Sequence, residues 1–391
     1  MPRRCILPAC LLLAGWAAAS CGQDHGAVPA DRESIELPAA GTPPTVEAAV
    51  VAEAVDGGML LELDDGRYLL AHPGDVISRR PLPEAATAET PRQLGERVLA
   101  ELPPGFELLL TRHYVVCYDT SRDYAKWCAA LFERLHEVFL NFWSRAGIEL
   151  TPPPRPLVVV IFSDKAAYEA HASRDLGAAA DRVVGYYNLM SNRVTTFDLT
   201  ETDGLTGTGA GSAGTANQIM ASPAAAGLVA TLVHEAAHQM AFNSGLHRRL
   251  APVPLWVSEG IAIYFETPDL AASGGWRGIG PPNRPRLDHF LAHHRPGDLV
   301  AIIADDERFR AAESPLDAYA GAWALTRYLV EAKKRRFIYY LRLQALKEPL
   351  ADDSPAARLR EFEAAFGTSA ETVEQEVVKA AARLQTSLRG R

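Results

Sequence analysis

The sequence predicts an α+β protein of two lobes, an α/β lobe followed by a helical one, with a small β module in front of them. Three observations predict this. Between residues 106 and 198, strand-like runs (FELLLTRHYVVCY, PLVVVIF, VVGYYNL and RVTTFDL) are separated by segments of helical period. From residue 226 onward the apolar period is helical through most of the chain. Before either, VEAAVV and MLLELDDGRYLLA alternate in strand fashion around an Asp-Gly turn.

Arg3 and Arg4 precede an apolar run from Cys5 to Ala19 that is too short to span a bilayer, followed by small residues and Cys21. Residues 1–21 therefore read as a secretory signal. The AASC stretch at 18–21 resembles a bacterial lipoprotein box, with Cys21 as the lipidated first residue of the mature chain. Ala18 stands where a leucine is usual, so cleavage without lipid is the alternative. The expected location is the cell envelope, anchored to the membrane through Cys21 or soluble in the periplasm or outside. Residues 22–44, rich in Pro, Ala, Gly and acids without a period, predict a disordered tether. Residues 45–80 predict a small β-hairpin module, and residues 81–104 a linker whose helix, near 91–102, ends at Pro103-Pro104-Gly105.

The main domain then runs from 105 to 391, divided into an α/β lobe (105–225) and a helical lobe (226–391). In the first, one strand over 106–118, a long helix (121–145), a strand (156–162), a helix (164–176) and two strands around a Ser-Asn turn predict a mixed sheet. His113 and His171 read as ordinary structural histidines. The Gly-, Thr- and Ala-rich stretch 203–216 is a lid or a linker. In the second lobe, helices are expected near 286–294, 315–335 with Ser314 as cap, 336–346, 355–366 and 370–385.

Charge and cysteine usage narrow the function. Forty-eight acidic against 39 basic residues give a net charge of −9, which argues against nucleic acid as a partner. The KKRR run at 333–336 is a solvated helix end. Of five cysteines, Cys5 and Cys10 leave with the signal, and Cys117 and Cys128 either pair or stay as buried thiols. No cysteine has zinc-ligand spacing, so a metal site would rest on His and Glu.

TLVHEAAHQM (231–240) supplies them. On a helix His234 and His238 lie one turn apart, about 6 Å in rise, so both imidazoles can reach one ion. Glu235 projects beside them, where a carboxylate that is not a ligand can take a proton from the attacking water. In PLWVSEGIAIYFETPDL, Glu259 sits inside an apolar helical run and needs a partner there. Catalytic zinc usually has three protein ligands and an open fourth position, and His234, His238 and Glu259 complete such a set for one Zn2+. His289 and His293 form another pair four apart, with His294 beside them, but no carboxylate holds the Glu235-like position; they read as surface or a weak substrate contact.

With Trp256, Glu259, Gly260, Ala262 and Tyr264, the second motif resembles the W-x-x-E-G-x-A-x-Y context of the third ligand in gluzincin metallopeptidases. The resemblance implies a thermolysin-like two-lobed catalytic domain. Many gluzincins place an acid four residues after that ligand to orient a histidine; Ile263 stands there, and Glu266 is the candidate for that task. The resemblance further implies that residues 183–198 form a sheet edge facing the substrate, and that a second-lobe Tyr or His steadies the oxyanion, a role that falls by position to Tyr319. Together with YAKWCAALFERL, GYYNLMSNRVTTFDLT and DAYAGAWALTRYL, these stretches look like a bacterial family of secreted or lipid-anchored proteins, a domain of unknown function within the peptidase MA-like gluzincins, over roughly residues 105–370. The implied activity is zinc-dependent hydrolysis of a peptide or protein substrate with Glu235 as general base. The alternatives are a zinc-stabilised scaffold that holds a peptide without cutting it, and an envelope structural protein without metal.

Overall fold

The computed structural model, a mixed α+β protein, describes residues 32–38, 45–82, 89–201, 224–267, 281–311, 315–351 and 353–390, with 216, 220, 222 and 279 singly; among these described residues are two separate five-stranded sheets and twelve α-helices that can be followed end to end. Cys21, most of 203–216 and the cap expected at Ser314 lie outside the described residues.

The first sheet is antiparallel, in the order β4-β3-β2-β1-β5, with β1 (Arg32–Glu36), β2 (Thr45–Glu53), β3 (Met59–Leu63), β4 (Tyr68–Ala71) and β5 (Ser78–Pro81). Asp-Gly pairs turn both β2–β3 and β3–β4, with Gly57 (φ 90°) and Gly66 (φ 80°) in the left-handed region those turns require. Ile35, Val46, Ala48, Met59, Leu61 and Ala71 fill one face as a small core of their own. Within the tether expected over 22–44, residues Arg32–Glu36 are strand β1 instead; 22–31 and 39–44 lie outside the described residues. The charged RESIE composition of β1 hides one inward apolar residue, Ile35, and the segment becomes a strand because β2 and β5 pair with both its edges. Leu60 points the other way, into the main core.

The second sheet is mixed, in the order β6-β7-β8-β10-β9: Glu107–Leu110, Tyr114–Tyr118, Leu157–Phe162, Arg193–Phe197 and Gly185–Asn188. The β7-β8 and β8-β10 ladders are parallel and the outer two antiparallel. The single strand expected over 106–118 is a hairpin instead. Its break at 111–113 is held by Glu133 of the next helix, which accepts from Thr111 Oγ1 and from the His113 backbone N–H, each at 2.7 Å.

Helix α1 (Pro91–Glu101), closed by a Thr90/Gln93 capping box, packs Leu94 and Val98 against β6 and β7, so the expected linker helix belongs to the main core. Helix α2 (Arg122–Ala146), capped by Ser121, covers this sheet with α3 (Lys165–Leu176). Cys117 and Cys128 are both buried and free; burial pushes the Cys117 thiol up to about 12, which leaves it unreactive.

The remaining helices are α4 (Ala226–Asn243), α5 (Leu255–Phe265), α6 (Arg284–His293), α7 (Asp298–Ala304), α8 (Glu307–Arg310), α9 (Pro315–Ala332), α10 (Lys334–Ala345), α11 (Pro355–Phe366) and α12 (Ala370–Arg389). Helices α7 and α8 lie in a stretch where no helix was expected, each too short to display a period. Helix α4 packs on β9, β10 and α2 and also on α5, so one apolar core runs through residues from both expected lobes. No described helix is long and apolar enough to cross a membrane.

Candidate metal centre

Helix α4 is apolar almost all round because it is enclosed almost all round. Leu228, Val229, Leu232, Val233, Ala236, Ala237 and Met240 are buried against the sheet and neighbouring helices. In that setting His234, Glu235 and His238 are 1%, 0% and 2% exposed. Polar groups so deep must find partners.

Helix α5 brings the partner. Tight packing on α9 presses it into place: a Cβ at Gly260 would overlap Thr326 Oγ1 and come within 2.7 Å of the Ala322 carbonyl oxygen. Glycine is therefore required where the two helices touch. Trp256 anchors the first turn, stacking on Tyr340 with ring centroids 5.7 Å apart, and Tyr264 packs against Phe142. Between them Glu259 is fully buried and aimed at the two histidines.

The donor atoms converge. His234 Nε2 lies 3.1 Å from His238 Nε2 and 3.1 Å from Glu259 Oε2, and His238 Nε2 lies 3.6 Å from Glu259 Oε1. Ligand atoms on a tetrahedral zinc, each roughly 2.1 Å from the metal, are separated by about 3.4 Å. These residues thus fit a zinc ion with small side-chain adjustment, and Glu259 Oε1 has no hydrogen-bond partner in the protein.

Glu266, at the end of α5, places Oε2 3.1 Å from His234 Nδ1. Its other oxygen accepts from Asn283 Nδ2 at 3.2 Å, with Arg286 Nη2 at 3.8 Å. A carboxylate on Nδ1 directs the opposite ring nitrogen, Nε2, toward the ligand cluster. Asn283 and Arg286 escaped the sequence reading; in the structure Asn283 is also the N-cap of α6.

Glu235 is held by a contact that no side-chain pattern displays. The backbone N–H of Tyr187, on edge strand β9, donates to its Oε2 at 2.8 Å, while Oε1 is buried without a partner. Of the edge expected over 183–198, only β9 is a sheet edge, because β10 lies between β8 and β9; β9 meets the HEAAH helix at Glu235, the polar residue of the motif outside the His–His–Glu triangle.

Electrostatics follow from burial. Desolvation pushes Glu235 up to about 8, against the pull of His234 and the Tyr187 N–H, with Glu259 and Glu266 adding to the rise. Burial alone would depress His234, but its hydrogen bonds to the Glu259 and Glu266 carboxylates raise it to about 10. Burial likewise opposes the charge on Glu259, yet the two imidazoles hold it far below the ordinary carboxylate range. His238 is pushed down by burial. Three carboxylates around two imidazoles in one buried pocket leave an excess of negative charge that a divalent cation would balance.

Tyr319 is buried on α9. Its ring stands edge-on to Phe309 at 5.4 Å, and the Arg286 guanidinium lies 5.8 Å from its centroid, which puts it next to the residue that reaches Glu266.

The profile of one family matches this part of the chain: residues 228–351 are similar to "Protein of unknown function (DUF1570)". The matched span takes in α4 from Leu228 onward and all of α5 and α9, and so His234, Glu235, His238, Glu259, Glu266 and Tyr319. Among curated proteins none matches the chain.

Proposed function

We propose that the protein is a zinc-dependent metallopeptidase of gluzincin type, with His234, His238 and Glu259 as the ligands of one zinc. The observation that carries the reading is the buried His234–His238–Glu259 triangle of 3.1–3.6 Å beside a Glu235 whose Oε1 has no partner. A bound zinc supplies a Lewis acid that polarises the scissile carbonyl and lowers the pKa of water toward ~7. The chain supplies the rest. Glu235, steadied by the Tyr187 N–H, takes the proton of the attacking water on Oε1 and returns it to the leaving amine. Strand β9 offers its outer edge to an extended peptide, and Tyr319 donates to the oxyanion.

Glu235→Gln keeps the ligand set and the fold but removes the base. Cleavage of a peptide found by library screening falls by about 10²- to 10⁴-fold with zinc still bound, and Tyr319→Phe loses on the order of 10²-fold. Wild-type activity in zinc-loaded Glu235→Gln would overturn the mechanism. Zinc and peptide binding without cleavage by the wild type would instead favour the non-catalytic scaffold.

The same reading sets the protein in the bacterial cell envelope, lipid-anchored through Cys21, with a peptide or protein as substrate. Full-length protein should then partition with membranes and Cys21→Ser should not; equal partitioning of the two would remove the anchor.

A further inference from the structure

A cavity of about 330 Å³ opens between the first sheet, strand β8, the β9–β10 turn and the end of α4. None of His234, Glu235, His238 or Glu259 lines it. Its size falls at the small-ligand end of the usual range for binding pockets, ~300–1,000 Å³. Its charge is unlike that of the chain. The protein carries −9 overall, yet five arginines line this cavity (Arg67, Arg155, Arg193, Arg248 and Arg249) against only two carboxylates, Glu62 and Asp65.

Those two carboxylates are already engaged. Asp65 is almost fully buried and bonded to both Arg67 and Arg97. Glu62 accepts from Arg155 Nη1 at 2.8 Å, with Arg249 Nη2 at 3.8 Å. Arg193 and Arg248 reach acids outside the cavity lining, Glu101 at 2.7 Å and Glu348 at 2.6 Å. Arg249, only 6% exposed, is fixed in place: its guanidinium lies 3.7 Å over the Tyr68 ring, and Nη1 donates to the Leu189 carbonyl at 3.2 Å. A guanidinium has five N–H donors, and each of Arg155, Arg193, Arg248 and Arg249 directs one or two at these protein acceptors. An interface that served only to hold the first sheet on the main core would fill the space; this one leaves a cavity, and its five guanidiniums share four carboxylates, Glu62, Asp65, Glu101 and Glu348.

We propose that this cavity binds a small ligand through an oxoanion, a carboxylate or phosphate group gripped by the forked donors of Arg155, Arg248 and Arg249. Planar guanidinium groups suit such bidentate contacts, and charge-assisted hydrogen bonds of this kind are stronger than neutral ones. The cavity wall also connects to the metal centre. Asn192 exchanges hydrogen bonds with Asn243 and accepts from Tyr187 Oη at 2.7 Å, while the Tyr187 backbone N–H holds Glu235. The proposal does not rest on zinc or on peptide cleavage.

The test is calorimetric titration of the full chain with inorganic phosphate and, separately, with citrate, at constant ionic strength in chloride. Saturable one-to-one binding of either anion is expected, and which of the two binds distinguishes a phosphate from a carboxylate ligand. Arg155→Gln and Arg248→Gln should each weaken it about tenfold or more. Arg122→Gln, the same charge change at an exposed arginine opening α2, should leave it unchanged. Arg248 pairs with a well-exposed glutamate, so Arg248→Gln remains a folded test if Arg155→Gln melts early. No saturable binding of either anion below about 10 mM, or equal weakening by Arg122→Gln, would overturn the proposal.

Discussion

Two pairs of histidines four residues apart sit on two helices of this protein, each facing a carboxylate from another helix, and they are built differently. His234 and His238 are sealed between α4 and α5 with Glu235, Glu259 and Glu266 around them. His289 and His293 stack at 4.2 Å on α6; His289 Nε2 meets Asp317 Oδ1 at 2.6 Å, and His293 Nδ1 donates to the His289 carbonyl at 3.0 Å. His289 and Asp317 are partly exposed and His293 is exposed, although the three donor atoms lie within 4.8 Å of one another. The open pair faces solvent and has an imidazole–carboxylate contact and a backbone carbonyl as partners. The buried pair is shut away from solvent beside Glu235, Glu259 and Glu266, and that burial of excess carboxylate charge is what would favour a cation there. Spacing places two imidazoles on one helical face in both helices; burial is what sets the first pair apart.

The sharpest way to break this comparison is to remove one histidine from each pair. Purified protein should carry about one zinc per chain, His238→Ala should lose nearly all of it, and His293→Ala should keep it. Elemental analysis reads this directly, and loss of zinc in His293→Ala alone would reverse the assignment.

A smaller effect separates the packing beneath the two pairs. Gly260→Ala drives a methyl into Thr326 Oγ1 and toward the Ala322 carbonyl, whereas a Cβ at Gly321, beside the open pair, meets the end of the Leu299 side chain at 3.0 Å. Chemical denaturation should show Gly260→Ala losing about 3 kcal/mol and Gly321→Ala under about 1 kcal/mol. Equal losses would mean that the α5–α9 contact adjusts as easily as a leucine tip.

The smallest effect tests burial of a histidine far from any ligand cluster. His136 of α2 stacks on His113 at 3.8 Å, and burial, helped by His113, pushes it down to about 4 from an ordinary 6.5. In the unfolded chain it takes its proton near pH 6.5, in the folded one near 4. Its stabilising contribution is therefore complete above pH 6.5 and is lost as pH falls toward 4, by on the order of 2 kcal/mol. His136→Phe preserves the stacking and should flatten that part of the stability profile; an unchanged slope would assign it to other groups, such as His247, which burial holds down to about 3.

The sequence alone determined what local chemistry can encode. HEAAH within an apolar helical run specifies a helix with two imidazoles one turn apart, and SEGIAIYF specifies a second buried helix carrying a carboxylate, because period and burial are properties of the residues themselves. Apolar runs rich in β-branched and aromatic residues likewise marked the strands of the mixed sheet, though not the break at 111–113, and Glu266 stood out as the next acid after Glu259. Tertiary structure decided the rest, since the rest depends on partners distant in the chain. Strand β1 exists because β2 and β5 flank it, not because RESIE favours extension. The 106–118 run folds back because Glu133 captures its turn, and α1 joins the core because β6 and β7 receive Leu94 and Val98. Tyr187 holds Glu235 through a backbone N–H, a donor present in every residue except proline and so invisible as a motif, and it reaches Glu235 only because β9 is the edge strand against which α4 packs.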